Sequence, residues 1–156
     1  MINIFNYLQD EACWQAKAVL AYLQGNLYRL TDDKYHNYNI EVEVGRYENC
    51  REQGYVFSLK FWGRNSETNK FGHYQRNYAV YEHRNSDTIC VLISNTFTIN
   101  TPGIDEMWKD KGDNPRSGDY DAGFKYNEIT QCAEYIIQDM DEFIAKYGEE
   151  SNPEDK

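Results

Sequence analysis

Apolar residues in this chain repeat with two different periods, and the order in which the period changes limits the fold more than any other feature. From about Asn3 to Gln24, Ile4, Phe5, Leu8, Ala12, Ala16, Val19, Leu20 and Leu23 fall on one side at about 100° per residue, the spacing of an amphipathic helix. Gly25 is placed to stop it, because glycine takes the left-handed conformation without a steric penalty. After a polar, turn-rich stretch over 31–39 the period drops to two. Ile40, Val42 and Val44 alternate with Glu41 and Glu43, and Tyr55, Phe57, Leu59 and Phe61 alternate with Ser58, Lys60 and Trp62. Residues 74–83 are rich in strand formers but of ambiguous parity. Ile89, Val91 and Ile93 begin a parity that continues through Phe97 and Ile99, so a long or bulged last strand is expected. The intervening polar segments are short enough for hairpins, which gives a four- or five-stranded antiparallel meander.

The helical period returns between about Asn127 and Tyr147. Ile129, Cys132, Ala133, Ile136, Ile137, Met140, Phe143, Ile144 and Tyr147 occupy an arc of about 140°. Asn127 is the expected N-cap, Glu128 suits the positive end of the helix dipole, and Gly148 ends the helix. A helix is about 10 Å across and four strands span about 19 Å, so two helices side by side cover one sheet face. The other face, with its Glu, Lys and Ser positions, can meet water. The expectation is a single α+β domain over 1–148, of order α-β-β-β-β-α, with both helices on one face. A long charged loop over 103–126 and a frayed acidic tail over 149–156 complete it.

Charge narrows the partners. With 26 acids against 16 bases the net charge is −10, and residues 101–156 alone carry −9. Such a segment repels nucleic acid and anionic membrane and attracts basic proteins or cations. Residues 46–84 do carry a net +3, and GYVFSLKF is aromatic in the manner of an RNA-binding strand. It lacks the leading basic residue and second small residue of that motif, and the βαββαβ order is absent. None of the four cysteines, Cys13, Cys50, Cys90 and Cys132, forms a C-x-x-C pair, so no zinc or thioredoxin-type site is signalled. The first residues, MINIFNYLQDE, lack the basic region of a signal peptide, and no run reaches 18 apolar residues. A reducing cytoplasm is the expected location.

Residues 103–124 hold six acids, three bases, four glycines and one Trp, with neither period. A connection this long is usually a functional loop or a disordered one. Its acids do not fit a calcium loop, which needs glycine at position six and glutamate at twelve. Counted from Asp119, Gly123 falls at five and Thr130 at twelve; counted from Asp113, Gly118 falls at six but Phe124 at twelve. Met107 and Trp108 form an apolar anchor that either docks this loop on the core or offers a partner a hot spot. Trp14 lies on the polar side of the first helix beside Ala18 and Ala21, a shallow docking surface unless the chain's own loops cover it.

On the outward arc of the closing helix lie Glu128, Glu134, Asp139, Asp141 and Glu142, opposed by Lys146. A solvated outer helix face is the commoner explanation of such a pattern. Read functionally, it is a negative face for a basic partner, though five carboxylates are too sparse to imitate duplex DNA, with about one charge per 1.7 Å. His36, His73 and His83 are scattered, and no hydrolase, metalloprotease, P-loop or dinucleotide motif is present, so the sequence argues against an enzyme. It signals no cofactor and no metal. The function expected is that of a small acidic binding protein, an inhibitor or antagonist of a basic nucleic-acid-handling protein such as a nuclease. Its partner-binding residues would be Trp14, Trp108, Asp119, Asp121, Glu134, Asp139, Asp141 and Glu142. The alternatives are a small-ligand domain with a pocket between the sheet and the 103–124 loop, and a homo-oligomeric assembly protein.

Overall fold

The computed structural model describes residues 14–27, 38, 40–49, 52–64, 69, 71–83, 87–99 and 121–149. Their order is α1 (Trp14–Asn26), β1 (Glu41–Asn49), β2 (Glu52–Arg64), β3 (Phe71–His83), β4 (Thr88–Ile99), β5 (Ala122–Lys125) and α2 (Ile129–Tyr147). The strands form one antiparallel sheet in chain order, β1-β2-β3-β4-β5. The α+β architecture expected from the two periods is therefore present. β5 emerges from the segment read as loop, where Ala122 and Phe124 alternate with Gly123 and Lys125; four residues are too few for the alternation to stand out. Residues 103–120, including Met107, Trp108 and Asp119, lie outside the described residues.

Period two sets the core face. Tyr55, Phe57, Leu59 and Phe61 of β2, Tyr74, Tyr78 and Val80 of β3, and Ile89, Val91, Ile93 and Phe97 of β4 are buried. They pack against Ala16, Val19, Leu20 and Leu23 of α1 and against Cys132, Ala133, Ile136, Met140, Phe143 and Ile144 of α2 in one cluster. The parity through Phe97 is carried by one continuous strand of 12 residues.

Element ends differ from the sequence expectation, each for a local reason. Residues 3–13 lie outside the described residues. Gln15 and Ala16 donate their backbone N–H groups to the Glu82 carboxylate at 3.0 and 3.1 Å, the way a first helical turn finds acceptors. Gly25 does not stop α1: Asn26 continues it, its Nδ2 donating to the Tyr22 carbonyl, and Leu27 tucks in behind. The N-cap of α2 is Glu128 and not Asn127, and the Glu128 side chain turns back to accept from Lys125 N at 2.7 Å. After α2 the chain does not fray at once. Gly148 bridges to Gly63 of β2, Glu149 N donates to the Trp62 carbonyl, and Glu149 pairs with Arg64 at 3.3 Å. That approach needs a glycine at 63, because a Cβ there would overlap the Tyr147 carbonyl.

The second sheet face is less polar than expected. Glu41, Glu43, Ser58 and Lys60 do lie on it, but at one end Ala79, Tyr81 and Cys90 are buried with Tyr47, Val56 and Leu92 around them. The cause is in β3, whose two faces are both apolar over 78–81: Tyr78 and Val80 meet the helices, Ala79 and Tyr81 the other side. Among the described residues, no helix residue belongs to this second cluster.

Candidate functional site

Strand register places the side chains of the second face in rows. Glu41 of β1 opposes Lys60 of β2, which opposes Gln75 of β3. One row on, Trp62 opposes His73, and beyond it Arg64 opposes Phe71. Together Glu41, Lys60, Trp62, His73 and Gln75 line a groove of about 580 Å³ whose floor is β2 and β3. Its aromatic wall is continuous: the His73 and Trp62 rings are 3.5 Å apart between centroids, and Trp62 stacks on Phe71 at 5.5 Å with planes 3° apart. Its charges are balanced in part. Lys60 reaches past the directly opposed Glu41 to bond Glu43 at 3.0 Å, so Glu41 stays an exposed carboxylate at the rim. His73 is exposed as a residue, yet desolvation of its ring lowers the imidazole below its ordinary value of 6.5; Glu41 opposes that shift and Lys60 adds to it. The shift favours the neutral form of the ring at neutral pH.

At the other end of this face Tyr47 and Tyr81 stack at 5.1 Å, and Tyr47, Val56, Asn77, Ala79, Leu92 and Ser94 border a shallower depression of about 310 Å³. The Tyr47 hydroxyl donates to Glu52 at 2.9 Å. The Cys90 thiol, pushed up by burial, sits in this apolar setting and is not an activated nucleophile.

Under the sheet lies a second concentration of polar chemistry. Arg76 of β3 points toward the helices and forms a fork with Asp139 of α2: Nε to Oδ1 at 2.7 Å and Nη2 to Oδ2 at 3.3 Å. Its Nη1 donates to Asn95 of β4 at 2.6 Å, and its guanidinium lies 4.5 Å over the Phe143 ring. The Tyr78 hydroxyl donates to the same Asp139 Oδ1 at 2.6 Å. Burial and the neighbouring carboxylate raise the Tyr78 phenol well above its usual value, so it remains a donor. Arg76, Tyr78, Asn95 and Asp139 bond one another across three elements, which describes a clamp joining α2 to the sheet.

The residues expected to bind a partner divide accordingly. Asp139 is turned inward to that clamp rather than outward. Ideal projection places it only about 20° outside the apolar arc, close enough to reach Arg76. Asp121 braces β5, its carboxylate accepting from Ile93 N at 2.7 Å while its own N–H donates to Val91 O. Glu134 accepts from the Tyr22 hydroxyl of α1 at 2.8 Å, and Glu142, exposed, accepts from Gln138. Asp141 is half-buried on the same helix. Trp14 is 58 % exposed at the start of α1, far in sequence from all of these. Trp108 and Asp119 lie outside the described residues. The carboxylates of α2 thus do not form one uniform outward face.

Glu41, Trp62 and His73 were not singled out from sequence. The signal was an outward-facing Trp two residues after an outward Lys in a strand whose inward positions are all apolar. Tyr55, Phe57 and Phe61, the inward aromatic residues of β2, are buried in the cluster shared with both helices. Among the described residues no three His, Cys, Asp or Glu side chains are grouped to hold a metal, and no helix is long and apolar enough to cross a membrane. In comparison with known proteins, the chain matches no family model, no curated sequence and no solved structure.

Proposed function

We propose that this chain is a binding protein for a basic protein, acting as an inhibitor or antagonist of a partner that handles nucleic acid. The observation that carries the reading is the net charge of −10, with −9 placed in residues 101–156. A field of that sign accelerates encounter with basic surfaces and repels phosphate backbones. The fold supports the reading because both helices lie on one sheet face, which leaves the groove between Glu41 and His73 on the other. Aromatic residues at such a surface supply contact area at low entropic cost, and the surrounding charge supplies steering.

The test is capture by the tagged protein from its host's lysate at low and high salt. A basic nucleic-acid-binding protein retained at low salt and lost at high salt is the expected result. Changing Asp141→Lys together with Glu142→Lys reverses charge on the outer side of α2 and should slow association. An association rate that stays the same at low ionic strength would overturn the steering argument.

A further inference from the structure

The fold holds two of its own arginines by one device. Arg76 lies over the Phe143 ring at 4.5 Å and pairs with Asp139 at 2.7 Å; Arg64 lies over the Phe71 ring at 5.6 Å and pairs with Glu149 at 3.3 Å. In each case the guanidinium has an aromatic ring and a carboxylate as neighbours, and for Arg76 the carboxylate contact is forked. This is the geometry that a flat, delocalised cation favours and an ammonium ion does not.

The groove on the second face offers the same two partners at its surface. The Trp62 and His73 rings form its wall. Glu41 is diagonal to Trp62 on the same face, since it opposes Lys60, two residues earlier in β2. Diagonal side chains of paired strands are within about 7–8 Å, which a guanidinium can bridge. Lys60 does not compete, because Glu43 holds it, and that pair cancels its own charge. What remains is one carboxylate beside a neutral aromatic wall. With Lys60 drawn to Glu43, the carboxylate of Glu41 argues against a phosphate group, and Gln75 adds a neutral hydrogen-bonding group at the edge.

We propose that this groove seats one arginine side chain of a protein partner, its guanidinium lying on the Trp62–His73 wall and paired with Glu41. The proposal rests on the reading of the chain as a binder of basic proteins, and it names how one basic residue is recognised. One such seat gives roughly millimolar affinity, so the readout must tolerate weak binding.

The experiment titrates the full chain with tetra-arginine and tetra-lysine peptides, following the Trp62 indole N–H resonance, assigned with Trp62→Phe. The expected result is a saturable shift of that resonance with tetra-arginine and a clearly smaller one with tetra-lysine. Glu41→Gln, a change at an exposed position, should weaken the arginine peptide about tenfold while leaving the rest of the spectrum in place. An unmoved Trp62 resonance, equal shifts from both peptides, no effect of Glu41→Gln, or a shift produced instead by a single-stranded RNA oligonucleotide would each overturn the proposal. The two readings fail separately. A basic partner captured in lysate while Trp62 ignores tetra-arginine leaves the function standing and removes the seat. Arginine-specific binding at Trp62 without any basic partner does the reverse.

Discussion

Asp139→Ala tests the clamp under the sheet. The substitution removes a forked ion pair and a hydroxyl bond at once: Arg76 Nε and Nη2 at 2.7 and 3.3 Å, and the Tyr78 hydroxyl at 2.6 Å. Arg76 is left with its side chain 12 % exposed and Asn95 as its remaining side-chain oxygen acceptor beside the Tyr78 hydroxyl. Removing one partner of a buried pair costs about 3–5 kcal/mol, because the other charge stays desolvated. Asp139 is itself 22 % exposed, so some water reaches the site and the lower end, about 3 kcal/mol, applies. With a urea slope of about 2 kcal/mol per molar, the midpoint should fall by about 1.5 M without a change in slope. The control is the double change Arg76→Met with Asp139→Leu, which removes the charge together with its partner and should recover part of the loss, the remainder being what Asn95 and the Tyr78 hydroxyl lose. A fall below about 0.5 M in the single variant would refute the argument. A double variant as unstable as the single one would also refute it, since packing rather than an unpaired charge would then be the cause.

Two further outcomes follow from burial. The Cys132 thiol is pushed up to about 12 and Cys90 is also raised, so a Cys13→Ser, Cys50→Ser chain should resist a thiol reagent near pH 8 and react at both sites once unfolded. Rapid labelling of the native chain would show that α2 or the second face opens readily. His73 has a folded value below its unfolded 6.5, so its contribution to stability is intact above that value and declines as pH falls through it toward the lower folded one. His73→Gln should therefore flatten the stability profile between about pH 7 and pH 5, and coincident profiles for the two chains would remove the assigned burial.

Both helix periods and the parity of β2 were legible in the sequence because each depends on solvent exclusion along one face, a property that repeats every turn or every second residue. The ends were not. Gly25 is a stop signal by propensity alone, but an exposed glycine inside a helix costs only about 1 kcal/mol, which the Asn26 bond and the burial of Leu27 can offset. β5 escaped notice because Ala122–Lys125 is held by partners distant in sequence: Cys90 opposite Gly123, and Ile93 reaching Asp121. The groove was equally hidden. Glu41 and Trp62 are 21 residues apart and become neighbours only through the β1–β2 register.

The clamp shows what was legible but unread. β3 had ambiguous parity because Arg76 stands at an inward position between Tyr74 and Tyr78. β4 breaks its apolar alternation once, at Asn95 between Ile93 and Phe97, and Asn95 is 1 % exposed. Asp139 interrupts the margin of the apolar arc of α2. Taken singly, each departure resembles an imperfect pattern, and each would be costly if buried without partners. The register brings Arg76 opposite Asn95, and α2 crosses above with Asp139 and Phe143, so the three departures satisfy one another. Polar residues at inward positions in three separate elements are therefore better read together than one at a time. A cation, a carboxylate and an amide interrupting three otherwise apolar faces form a set that can bond, and their mutual satisfaction fixes how the helix sits on the sheet.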